Sequence, residues 1–253
     1  MTVKVLDSDA EVTQALLGVV LEGAKEAIAE KGAFSLAVPG GRIPTMLAGL
    51  INAPGSAEVD WAKCHLFFVN ERQNEGKCCK LNKAQFADAL GIPDANIYPP
   101  ATGESVDSAA AYSQTLRDVP VGVVYIPAID GSAPCLDMAL IGLGNDGHIG
   151  SVYPGSETAA VADATSLALP VDKPGKQSIT MSLAMMAAAK RTVIATCGEG
   201  KVESVAKAIK LSAASKAWKA EESMPWLDAP SARLAVGPGE TIWLLDAAAG
   251  AGL

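Results

Sequence analysis

Leu140-Ile141-Gly142-Leu143-Gly144-Asn145-Asp146-Gly147-His148-Ile149-Gly150-Ser151-Val152-Tyr153-Pro154-Gly155-Ser156 ends an apolar run, Met138-Ala139-Leu140-Ile141, in a glycine-dense loop carrying an aspartate and a histidine. A buried strand that stops in such a loop is where an open α/β sheet keeps its chemistry. Glycine lets the backbone approach a ligand closely, and an Asp–His pair can move protons near neutral pH. The same letters fit a tight turn with a solvated histidine.

Outward from this loop, short continuous apolar runs alternate with helical patterns. Phe34–Val38, Cys64–Val69, Leu136–Ile141, Thr192–Thr196 and Thr241–Leu245 read as buried strands. Residues 9–31 read as an amphipathic helix, with Val12, Leu16, Val19, Val20 and Ala24 at helical spacing, Asp7-Ser8-Asp9 as cap and Gly32 as stop. Further helices are expected at Pro44–Leu50, Lys83–Leu90, Ser105–Arg117, Ala184–Ala189 and Glu199–Leu211, with extended pieces at Ile97-Tyr98 and Ser178–Leu183. Strands of this kind predict a mainly parallel sheet covered by helices on both faces, an α/β fold of the Rossmann-like type. The 253 residues suit one such domain over 1–253.

Composition narrows the function. The net charge of −8 argues against nucleic acid and anionic membranes as partners, so an anionic small substrate needs a local cationic pocket. No apolar run approaches a membrane span of roughly 20 residues, and Met1–Ala10 lacks a signal pattern. Of the five cysteines, Cys64, Cys135 and Cys197 sit in apolar runs and Cys78-Cys79 in a polar loop, which implies a reducing, cytoplasmic setting and no metal.

Four polar segments follow strand ends and should gather on one sheet edge. Pro39-Gly40-Gly41-Arg42 precedes a helix and offers backbone N–H groups with a guanidinium, or a plain turn. Asn70-Glu71-Arg72 offers functional groups, or a surface ion pair. Asp146 and His148 form the third. Gly198-Glu199-Gly200-Lys201 places a lysine where a helix N-terminus does not favour one, which points to an anionic ligand or to a solvated side chain. His65, within an apolar strand, reads as structural. Gly142 to Gly147 also fits G-x-G-x-x-G, but mid-chain and with no clear helix after it, which argues against dinucleotide binding.

Together these segments resemble the 6-phosphogluconolactonase family, within the superfamily that includes glucosamine-6-phosphate deaminase. Leu140–Ser156 is similar to the family's L-G-x-G-x-D-G-H-T-A-S-L-F-P-G, Cys64–Arg72 to its F-F-x-D-E-R strand end, and Asn96–Pro99 and Trp243–Ala249 also match. Ser151–Gly155 favours the lactonase branch, because no carboxylate lies between His148 and Glu157 where the deaminases carry one. The resemblance implies hydrolysis of a sugar-phosphate lactone without a cofactor, by a monomer or homodimer. It assigns His148 as general base, Asp146 as its orienting group or an aid to the leaving ring oxygen, and Arg72 to the oxyanion or the phosphate. Gly40, Gly41, Arg42 and Lys201 would hold the phosphate, and Asn82 would touch sugar hydroxyls. The chain departs from the family at Asn70 for aspartate, Ile43 for threonine, Leu81-Asn82-Lys83 for Ser-Asn-Tyr, Ile149 for threonine and Ser178 for arginine. Those losses keep two other readings open, an amino-sugar-phosphate isomerase or deaminase and a non-catalytic sugar-phosphate-binding paralogue.

Overall fold

A computed structural model describes the chain except residues 74, 103, 121, 125–133, 162–164, 174–175 and 216–223. Strand β1 (Thr2–Leu6) leads into helix α1 (Asp9–Lys31). Ser8 caps α1 by accepting the Glu11 N–H, and Gly32 ends it in the left-handed region at φ 84°. There follow β2 (Phe34–Val38), α2 (Ile43–Leu47), β3 (Cys64–Phe68) and β4 (Asn70–Arg72). Helix α3 (Lys77–Asn82) runs through a π turn at 83–87 into α4 (Asp88–Leu90). Then come β5 (Ile97–Tyr98), α5 (Ser105–Asp118), β6 (Met138–Ile141) and α6 (Glu157–Ala160). The chain closes with β7 (Ala168–Lys173), β8 (Lys176–Met181), α7 (Leu183–Ala187), β9 (Arg191–Thr196), α8 (Val202–Ala213) and β10 (Glu240–Asp246).

The main sheet has the order β1-β10-β9-β6-β2-β3-β5, with every adjacent pair parallel. Because side chains alternate along a strand, each central strand feeds two cores. Ala37, Phe67, Ala139, Ile141, Ile194 and Trp243 pack on one face with Tyr112, Leu116, Met185, Met186 and Val205. Leu36, Val38, Leu66, Phe68, Met138, Leu140 and Val193 pack on the other with Val12, Leu16 and Val20 of α1. Each Val, Leu, Ile, Phe or Met side chain among them contributes about 1.5–3 kcal/mol by leaving water.

The strand order places the site. From β2 the chain steps to β3 and then β5, whereas from β6 it steps the opposite way to β9 and β10. The winding direction reverses between β2 and β6, and in open α/β sheets ligands bind in the crevice outside the strand ends at such a point.

Several expectations needed correction. Asn70-Glu71-Arg72 is not a loop at a strand end but strand β4 of a second, antiparallel sheet, β4-β8-β7. The chain turns out of the main sheet at Val69, whose N–H donates to Val38 and whose carbonyl accepts from Met181. Strands β1 and β7 were not expected. The helix read from Lys83 begins at Lys77, so Cys78-Cys79 lie in its first turn rather than in a polar loop, with Cys78 buried. The loop expected near Pro127 lies outside the described residues.

Glu71 joins the small sheet to α3. Buried to 3% exposure, its carboxylate accepts the N–H groups of Arg72, Cys78 and Cys79, each at 2.8 Å. Glu71→Gln places an NH2 group against a backbone donor, and we expect a loss of about 2 kcal/mol in denaturant unfolding.

Burial pushes the thiols of Cys64, Cys78 and Cys197 up to about 12 and that of Cys135 to about 11. Protonated thiols are poor nucleophiles. A disulfide reagent should therefore label the native protein slowly near neutral pH, and all five cysteines promptly after unfolding.

Candidate active site

The loop after β6 folds back on itself. Leu143 and Val152 bridge Ile149 from either side, and Gly144 donates its N–H to the His148 carbonyl at 2.8 Å. Gly147 and Gly150 take positive φ at 86° and 56°, which the turn requires. Within this ring the His148 Nδ1 lies 2.5 Å from the Asp146 Oδ1, and the His148 N–H donates to the same oxygen at 3.2 Å. Asp146 as acceptor assigns the proton to Nδ1 and leaves the lone pair on Nε2, which has no hydrogen-bond partner among the described residues. Burial raises the Asp146 carboxyl, but the hydrogen bonds from His148 outweigh it and hold it below the ordinary aspartate value. The imidazole is only partly exposed, and the Tyr153 ring packs against it with centroids 4.9 Å apart.

The space for this pair is made by Gly144. A Cβ there would stand 2.2 Å from the His148 Nδ1 and 2.6 Å from the Asp146 Oδ1. No rearrangement leaves both groups in place.

Neighbouring loops close around the dyad. Asn70 accepts the Gly40 N–H at 3.3 Å and donates through Nδ2 to the Ser151 Oγ at 3.4 Å, so its amide links the loops after β2 and β6. Ser151 in turn donates its N–H to Thr180 on β8. After β9, a 3₁₀ turn over Glu199–Lys201 precedes α8, so Lys201 stands just outside the helix. Its ammonium donates to the Leu143 carbonyl at 2.5 Å. Burial lowers its pKa below the ordinary lysine value, with the nearby Asp146 charge opposing. Both Asp246 oxygens accept from the Gly198 N–H, which ties this turn to the end of β10.

The other expected residues divide. Gly40 and Gly41 lie in the turn after β2, where Gly40 packs so closely that a Cβ would meet the Cys78 Sγ at 2.6 Å. Arg42 points away to an ion pair with Asp9 at the start of α1. Arg72, beside Asn70 on β4, lies opposite Ser178 and pairs loosely with Glu75 at 3.4 Å. Asn82 is fully buried, so it offers no surface to a sugar, contrary to expectation. Its Nδ2 donates to the carbonyls of Pro39 and Cys78, which fixes the glycine turn from behind. His65 is structural as read: its ring stacks near Tyr98 and bonds its hydroxyl at 3.0 Å, and burial lowers its pKa. Sequence reasoning missed Tyr153 and Thr180, and took Glu71 only as part of its polar segment without the role it plays. For Glu71 a signal existed, an acidic residue between two polar ones after an apolar run. Among the described residues no group of three or more His, Cys, Asp or Glu side chains is placed to hold a metal ion, and no helix is long and apolar enough to cross a membrane.

A mainly parallel α/β sheet with an Asp–His pair in the crevice at its switch point defines an open α/β protein whose candidate active site lies outside the strand ends. The comparisons give the family. Residues 7–243 match the family described as glucosamine-6-phosphate isomerases/6-phosphogluconolactonase, to which this chain belongs. A 6-phosphogluconolactonase of Nostoc sp. is 30% identical over 258 residues, covering 100% of this chain and 98% of that protein. Probable 6-phosphogluconolactonase 4 of Arabidopsis thaliana is 28% identical over 230 residues, covering 87% and 82%. In fold, the chain superposes on 6-phosphogluconolactonase from Trypanosoma brucei with a TM-score of 0.80 at 21% identity, covering 100% and 98%. A monomeric glucosamine-6-phosphate deaminase follows at 0.74 and 16%, with 100% of both chains covered.

The Gly144 niche yields a sharp expectation. Gly144→Ala should leave the fold intact, displace the His148 ring, and cut kcat about 10²-fold or more, since misplacement by about 1 Å has that effect; a near-normal kcat would show that the dyad geometry is dispensable.

Proposed function

We propose that the chain is a 6-phosphogluconolactonase, hydrolysing 6-phosphoglucono-1,5-lactone to 6-phosphogluconate. The observation that carries this reading is the Asp146–His148 pair at the switch-point crevice, with Nε2 free to take a proton. The family membership and the names of its relatives support the substrate.

In this reading Nε2 of His148 removes a proton from water as the water oxygen attacks the lactone carbonyl carbon. The carbonyl π electrons move to oxygen, and Arg72 stabilises the oxyanion from β4. Collapse of the tetrahedral intermediate breaks the bond to the ring oxygen, which takes the proton back from the imidazolium. Asp146 holds the tautomer and stabilises the imidazolium between these steps. The lactone is already an activated acyl group, so the reaction needs no cofactor. The Gly40-Gly41 turn and Lys201 face the phosphate end; Arg42 joins them only after leaving Asp9. Free cysteines support a reducing, cytoplasmic setting. The isomerase or deaminase reading is weaker here because residue 70 is an amide, engaged at both ends by Gly40 and Ser151.

Lactone generated in situ and followed above its spontaneous hydrolysis tests the reading. We expect rapid turnover by the native protein and a loss of at least about 10² in kcat in His148→Ala. Asp146→Asn should lose activity with little change in KM. Absence of turnover, with 6-phosphogluconate still raising Tm, would instead establish the non-catalytic paralogue.

A further inference from the structure

The cations expected to receive an anionic substrate are mostly engaged. Arg42 is paired with Asp9, Lys201 with the Leu143 carbonyl, and Arg72 loosely with Glu75. One cationic feature beside the crevice is used by none of the roles above. An open cavity of about 560 Å³ is lined by Glu75, Lys77, Lys80 and Leu81.

Residues 77, 80 and 81 share one face of α3 by helical spacing, while Cys78 and Asn82 on the other side meet Gly40 and Pro39. The Glu71 carboxylate fixes the first turn of this helix to β4. The cavity thus lies on the helix whose Cys78 packs against Gly40 of the glycine turn, and its lining residue Glu75 pairs with Arg72. Lys80 donates to the Glu75 carbonyl at 2.7 Å. The Lys77 side chain, exposed, has no hydrogen bond or ion pair among the described residues. The Glu75 carboxylate is already met by Arg72, so the two lysines leave this cavity positive. The chain as a whole carries −8 and repels a dianion.

We propose that Lys77 and Lys80 form a capture site that draws the phosphate group of the substrate to the crevice and selects phosphorylated over unphosphorylated lactones. This rests on the lactonase reading. Local charge raises the encounter rate of a charged ligand by 10-fold or more, an effect that falls with ionic strength.

The test compares the native protein with Lys77→Glu/Lys80→Glu and with Lys77→Arg/Lys80→Arg. Both sites are exposed, so folding should be retained, as circular dichroism would check. The readout is the ratio of kcat/KM for 6-phosphoglucono-1,5-lactone to that for glucono-1,5-lactone, measured from low to high salt. We expect the ratio to fall about tenfold or more in the Glu variant at low salt, its salt dependence to flatten, and the Arg variant to behave as native. A Glu variant with the native ratio and the native salt dependence overturns the capture site while leaving the lactonase reading standing. A native protein inert toward both lactones overturns that reading, and the capture site with it.

Discussion

The reversal of winding between β2 and β6 is the constraint on which the site depends. Seven parallel strands bring their carboxyl ends to one edge, and the reversal leaves the two central loops without a crossover between them. The crevice is then stitched by single hydrogen bonds that cross from strand to strand. Asn70 spans Gly40 and Ser151, Lys201 holds Leu143, Asn82 holds Pro39, and Asp246 holds Gly198. Each is worth about 1 kcal/mol. Their effect on function is larger than that figure suggests, because each joins loops that rise from different strands and so limits relative motion exactly where positions matter.

Inside the crevice the governing quantity is space. The imidazole of His148 occupies the volume that any side chain at 144 would take, and Asp146 reaches Nδ1 only because the loop doubles back within two residues. Lys201 then supports the same loop from the β9 side. Its partial burial weakens its hold on a proton, yet the carbonyl of Leu143 and the charge of Asp146 keep the ammonium useful there. One lysine thus serves both the shape of the glycine loop and the field around its carboxylate.

The sequence was legible where burial is complete. The central strands are apolar on both faces, so they read as unbroken runs, and α1 carries its cap, its stripe and its stop. Strand β1 was not legible, since this edge strand with Lys4 at its centre exposes three of its five residues and buries none. Strand β7 was hidden by Pro170, which its place at the edge of the small sheet tolerates. At the site, residue type told which groups gather at the edge but not what each one grips. Arg42 turns to Asp9 on α1, and Asn82, itself at the end of α3, turns inward to Pro39 after β2, because only the folded chain brings these partners together.

The departure at residue 70 illustrates how a site absorbs a changed motif. A carboxylate there can only accept, and it would add a second negative charge beside buried Glu71. The amide of Asn70 accepts from Gly40 and donates to Ser151, so it keeps both loops in place while remaining neutral. Asp146 is met by His148 and by the nearby charge of Lys201, and Arg72 is met in part by Glu75. In a chain of net charge −8, removing one more anion from the mouth of the site lowers the barrier that any phosphorylated ligand meets on entry.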